Sequence, residues 1–134
     1  MMRVFIFLAL MFIGFTSYGQ KEERLTTIGF VQILNDNKEE ATYYYQNNWL
    51  VLRKMAIEKG YIHSYQILEV PKDEGEPFDL MLITTFSNEE QYAQREANFN
   101  ELIEEKGPVK LMNDKQPAEF RKTLFNKRRI RQWK

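Results

Sequence analysis

Short runs that are apolar on both parities alternate along this chain with longer stretches in which apolar residues return every three or four positions, the signatures of strand and helix. The first run, Val4 to Phe15, is apolar except at Gly14 and spans 12 residues. Leu25 to Leu34 (LTTIGFVQIL) is rich in β-branched and large apolar side chains and stops at the turn and cap cluster Asn35-Asp36-Asn37, which predicts a first strand. From Lys38 to Lys59 the pattern is helical, and Gly60 stands where a left-handed cap is wanted. At about 100° per residue, Ala41, Tyr44, Tyr45, Trp49, Val51, Leu52, Met55 and Ala56 share one broad face, with Asn48 inside it. Tyr43, Leu50 and Ile57 recur at seven-residue spacing on the opposite face, among Gln46, Asn47, Arg53 and Lys54. That stripe is either plain exposed apolar surface or a strip that packs under the C-terminal segment or a second subunit.

Tyr61 to Val70 (YIHSYQILEV) reads as a second strand and Phe78 to Phe86 (FDLMLITTF) as a third, joined by the charged, proline-bounded turn Pro71 to Pro77. Ser87-Asn88-Glu89-Glu90 matches the S-x-x-E capping box. It predicts a second helix to about Lys106, with Tyr92, Phe99, Leu102 and Ile103 inward, ending at Gly107-Pro108. Beyond it, Pro117 to Thr123 suggests a short helix and Phe125 to Trp133 a terminal strand. The resulting order, β-α-β-β-α-β, is that of an α+β, ferredoxin-like antiparallel sheet with two helices on one face. Strands one and three are then central and strands two and four are edges. Two helices cover one face of such a sheet, so the apolar residues of the other face need a partner, and a second copy of the sheet is the simplest one.

Composition divides the 134 residues into unlike parts. Residues 1–19 hold 14 hydrophobic residues and one charge, Arg3, and end in Ser17-Tyr18-Gly19. A positive start, an apolar core too short for a span and small residues at the two recognition positions predict a signal peptide cleaved before Gln20, hence export to a periplasm or the exterior. Residues 20–108 form the expected α+β domain and carry 9 basic and 17 acidic side chains; residues 109–134 carry 9 and 2. A body of net −8 and a basic tail of net +7 predict that the tail docks on its own domain or a sister subunit. Contact of Lys127 to Lys134 with an anionic membrane surface is less favoured, and an exported chain has little occasion to meet nucleic acid. With no cysteine, disulfides, thiolate metal sites and thiol catalysis are excluded.

Candidate chemistry is sparse. His63 is the single histidine, which leaves no His-His metal motif, and its sequence neighbour Ser64 points to the other face of a strand. As a lone base it could act on an acidic C–H; otherwise it is a partly exposed edge-strand residue. Asn48 is an amide on an apolar face, which must be hydrogen-bonded or cost about 1–3 kcal/mol. Either it meets a sheet or loop partner, or it points into a ligand pocket walled by Tyr44, Tyr45 and Trp49. No metal and no cofactor is expected.

From Thr26 to Lys106, the strand, the helix Tyr43 to Lys59 with its tyrosines and tryptophan, the entry Gly60-Tyr61-Ile62-His63-Ser64-Tyr65, the third strand and its capped helix resemble the dimeric α+β barrel superfamily. The resemblance implies two sheets paired face to face in a homodimer, with ligands between helices and sheet. The superfamily includes cofactor-free oxygenases and haem-degrading enzymes. The asparagine, tryptophan and histidine that the haem-degrading members use are not at the matching places, so that activity does not transfer. Three functions stay open: an exported domain that binds a small hydrophobic ligand or serves a structural role, a cofactor-independent oxygenase or isomerase, and a binder of anionic surfaces through the tail.

Overall fold

The computed structural model describes residues 23–72 and 75–133. The predicted signal peptide and its cleavage site before Gln20 lie outside the described residues. Four strands, β1 (Leu25–Ile33), β2 (Ser64–Glu69), β3 (Leu80–Phe86) and β4 (Arg121–Ile130), form one α+β sheet in the order β2-β3-β1-β4. Every neighbouring pair is antiparallel. The apolar-on-both-parities strands β1 and β3 are therefore central, and the more polar β2 and β4 are edges.

Strand register sorts the side chains into two faces. Leu25, Val31, Thr84 and Phe86 are buried on one of them. The helices pack there: Leu25, Ala56, Ile62, Phe86, Tyr92 and Leu102 form the core cluster. On the other face, Phe125, Phe30, Met81 and Leu68 stand in one row across all four strands, with Ile28 paired to Ile83 beside them. Phe30 stacks on Phe125 with ring centroids 4.5 Å apart. At the two ends of that row Leu68 and Phe125 remain 40% and 42% exposed.

The first helical stretch is not the uninterrupted helix that its periodicity predicts. It consists of α1 (Lys38–Tyr44), a π-helical turn Tyr45–Trp49 and α2 (Leu50–Glu58). Inside the π-turn the Leu50 amide donates to the Tyr45 carbonyl, five residues back. The Asn47 and Asn48 side-chain amides donate to the Tyr43 and Tyr44 carbonyls, each at 2.8 Å, taking acceptor sites that the backbone ladder would otherwise use. One residue more per turn moves everything downstream by about 100° on the helical wheel. Arg53, expected on the solvent face, is thereby carried inward and lies between the Trp49 and Phe99 rings, 4.3 Å from each centroid. Its Nε donates to Thr84 Oγ1 at 3.1 Å. Leu50 likewise turns from the expected outer stripe toward the sheet, lining a cleft with Ile67 and Leu80, while Ile57 is 40% exposed.

The second helix also differs in detail. Asn88, not Ser87, is its N-cap: Asn88 Oδ1 accepts from the Gln91 amide at 2.9 Å, and Gln91 Oε1 accepts from the Ser87 amide at 2.7 Å. Asparagine caps as well as serine does, and the Gln91 side chain reaches past the cap to the amide of the residue before it, so the two bonds resemble a capping box shifted by one place. The helix is split at Gln94 into α3 (Glu89–Ala93) and α4 (Arg95–Lys106), ending at Gly107 with φ 82°. Leu102 is fully buried, whereas Ile103, expected beside it in the core, is 51% exposed.

The C-terminal segment contributes α5 (Pro117–Phe120) and then β4, which starts and ends earlier than the strand expected at Phe125 to Trp133 and leaves Trp133 95% exposed. The Asn35 and Asn37 side chains both donate to the Glu119 carbonyl, tying the turn after β1 to α5. Lys115 pairs with Glu40 at 3.4 Å and Arg129 with Glu89, so the basic segment and the acidic body meet through ion pairs. Among the described residues no helix is long and apolar enough to cross a membrane.

Leu102 and Ile103 make a direct test of this burial. Leu102→Ala is expected to cost about 2–5 kcal/mol in urea denaturation, and Ile103→Ala within about 0.5 kcal/mol of zero. Replacing Arg53 by methionine, which keeps the stem but removes the charge and the Thr84 bond, is expected to cost about 2 kcal/mol by the same measurement.

Candidate functional site

The π-turn decides what faces the space between the first helical stretch and β4. Tyr44, Tyr45 and Trp49, the walls expected in the pocket alternative for Asn48, line with Asn48 one cleft of about 330 Å³. Leu52 and Leu82 extend its apolar wall, and Ile103, Gly107 and Val109 bound it on the α4 side. Arg121 and Thr123 close it from β4. This volume is at the small end of the range of ligand sites, which is about 300–1,000 Å³.

Asn48 is buried, 6% exposed, and every hydrogen-bonding position of its amide is filled. Nδ2 donates to the Tyr44 and Lys110 carbonyls, and Oδ1 accepts from the Lys110 amide and Lys106 Nζ, all at 2.8 Å. The two bonds with the Lys110 backbone reproduce a strand-like exchange and pin segment 107–110 against the helix, which makes that segment a wall of the cleft. Of the two roles open to Asn48, hydrogen-bonding a loop is what its geometry performs; its amide has no vacant position for a ligand.

The aromatic wall is braced by edge contacts. Tyr44 meets Tyr45 at 5.1 Å and Phe120 at 5.5 Å between centroids, and Trp49 meets Tyr65 at 6.2 Å. Burial pushes the Tyr45 hydroxyl up to about 12, against a weaker downward pull from the Arg121 charge, so it stays protonated.

Among the described residues two cations line the cleft and no carboxylate does. Lys106 holds Asn48 Oδ1 at 2.8 Å and the Pro108 carbonyl at 3.3 Å. Burial, and then the charge of Lys110, hold its ammonium below the usual lysine value. Arg121 Nη2 donates to the Tyr44 hydroxyl at 3.2 Å, and its guanidinium lies 5.2 Å from the Tyr44 ring centroid. Its Nε is buried with no hydrogen-bond partner among the described residues. Neither cation was singled out from sequence. Arg121 looked like one more charge of a basic tail, and only its pairing opposite Ile33 on β1 places it over the cleft.

His63 is exposed just before β2, where its amide donates to the Thr85 carbonyl at 2.7 Å. It is not among the residues that line the cleft. Among the described residues, no three of His, Asp and Glu come together as a metal set.

Asn48→Ala removes four hydrogen bonds at once and is expected to cost about 2–3 kcal/mol, with faster hydrogen exchange at the Lys110 amide as the local readout. Tyr45 supplies a pH test. Its pKa is raised in the fold, so its contribution is whole below the ordinary value of 10.0 and is lost as pH rises through about 12. Tyr45→Phe is therefore expected to flatten the alkaline fall of the urea midpoint over that window. No protein-family model matches the chain, and no curated protein or solved structure matches it either.

Proposed function

We propose that the mature chain is an exported, ferredoxin-like domain of the dimeric α+β barrel type that binds a small hydrophobic ligand between its first helical stretch and its sheet. The observation that carries the binding role is the cleft itself: four side chains from less than two turns of helix meet apolar residues of β3, α2 and α4 around about 330 Å³. A mostly apolar concavity with a few polar groups is the usual form of a small-molecule site. The ferredoxin-like reading is supported by the strand order β2-β3-β1-β4 together with the packing of the helices on the Leu25 and Phe86 face.

Pairing with a second copy is supported by the opposite face. The row Phe125, Phe30, Met81 and Leu68 is apolar from edge to edge, and no described helix belongs to the core on that side. A face of this kind, repeated on an identical chain, is self-complementary under a twofold axis.

Both parts are testable. A neutral fluorescent probe such as N-phenyl-1-naphthylamine is expected to bind saturably and to be lost in Thr123→Trp, which fills the cleft from β4; absence of saturable binding in the folded wild type would rule out the ligand role. Ile83→Glu, in the middle of the open sheet face, is expected to convert a dimer to a monomer by native mass measurement. A wild type that is monomeric throughout would remove the dimer.

A further inference from the structure

Resting on the reading of the cleft as a ligand site, we propose that its ligand is an amphipathic anion, an apolar body ending in a carboxylate, whose charged end is held by Arg121 at the β4 side.

Three observations converge on this. Arg121 carries five N–H donors and among the described residues one hydrogen bond, to the Tyr44 hydroxyl. Its Nε is buried and has no hydrogen-bond partner among the described residues, so the guanidinium is far from satisfied by the protein. No ion pair joins Arg121 to a carboxylate of the described residues, although the acidic body lies beside it and other tail cations, Lys115 and Arg129, find partners there. The charge balance of the lining is equally one-sided: Arg121 and Lys106 stand in the cleft with no acidic residue among the described residues that form it.

Guanidinium and carboxylate match in plane and spacing, and a charge-assisted, two-pronged contact is the strongest polar recognition available at such a site. The protonated Tyr45 hydroxyl adds a neutral donor to the same lining. Away from Arg121 the wall is Trp49, Leu52 and Leu82, which suits an alkyl chain or a ring and offers little to a small polar anion such as phosphate. The arrangement selects a molecule with both properties.

A matched pair of ligands separates this inference from the reading beneath it. Decanoate and decanol share a chain and differ in charge, and their affinities for the full mature protein can be read by calorimetry or by displacement of a neutral probe. Decanoate is expected to bind about tenfold more tightly, the size of one net charge-assisted hydrogen bond. Arg121→Gln is expected to erase the preference while decanol affinity stays within about twofold, and Arg121→Lys to restore part of it. Equal binding of the two by the wild type would overturn the anionic ligand and leave the apolar cleft standing. A preference that persists in folded Arg121→Gln would overturn the assignment to Arg121. Binding of neither compound would overturn both the inference and the ligand site. Where Arg121→Gln fails to fold, the wild-type comparison still decides whether the ligand is anionic, and loss of the preference in folded Lys106→Gln would overturn the assignment to Arg121.

Discussion

Asn48 sits where the helix changes its hydrogen-bond register, and its amide is bonded at all four positions. Two of those bonds run to the Lys110 backbone, one to the helix's own Tyr44 carbonyl and one to Lys106. A buried amide has few ways to be satisfied so fully. The π-turn supplies one by leaving the Tyr44 carbonyl free for a side chain, and the segment after α4 supplies the other. The same residue thus sets the rotation of α2 and holds the 107–110 wall of the cleft. With the register changed, Trp49 and Arg53 reach the sheet side together, and Arg53 fills the gap between Trp49 and Phe99 while its head reaches Thr84. Partial burial lowers its pKa to about 10, which leaves it charged at neutral pH between two electron-rich ring faces.

Charge is organised at two levels. At the surface, Lys59 bridges Glu101 and Glu105 from α2 to α4, and Arg129 brings β4 to Glu89, contacts that are exposed and individually weak. Inside the cleft the same basic segment behaves differently: Arg121, at the start of β4 opposite Ile33 of β1, lines the cleft and bonds the Tyr44 hydroxyl. The bulges in the β1 and β4 register and the cations Lys127 and Arg128 along the outer strand also blunt an edge that could otherwise recruit further strands. The end of the basic tail is therefore a structural strand, β4, whose first cation, Arg121, lines the cleft.

Much of this was legible in the residues. Two-sided apolar runs located the three N-terminal strands to within a few residues, Gly60 and Gly107 ended the helices at positive φ, and Tyr44, Tyr45, Asn48 and Trp49 were grouped by their spacing alone. These features depend on contacts within a turn or two, or on backbone conformations that only certain residues adopt. Asn48 was recognisable as a residue that needed partners, though not as one that would find them 62 residues away.

What lay beyond the sequence depended on long-range pairing. A helical wheel assumes 3.6 residues per turn without interruption, so the π-turn misplaced Leu50 and Arg53, and nothing local to Tyr45–Trp49 announces it except two asparagines whose amides compete for carbonyls. Likewise Arg121 became a cleft residue only when β4 took its register beside β1, since parity and position across a sheet are properties of the partner strand as much as of the strand itself. The sequence by itself determined the three N-terminal strands and the two long helical stretches, because those follow from local periodicity. The tertiary structure alone decided which charges face the cleft, because that depends on which distant backbone groups pair.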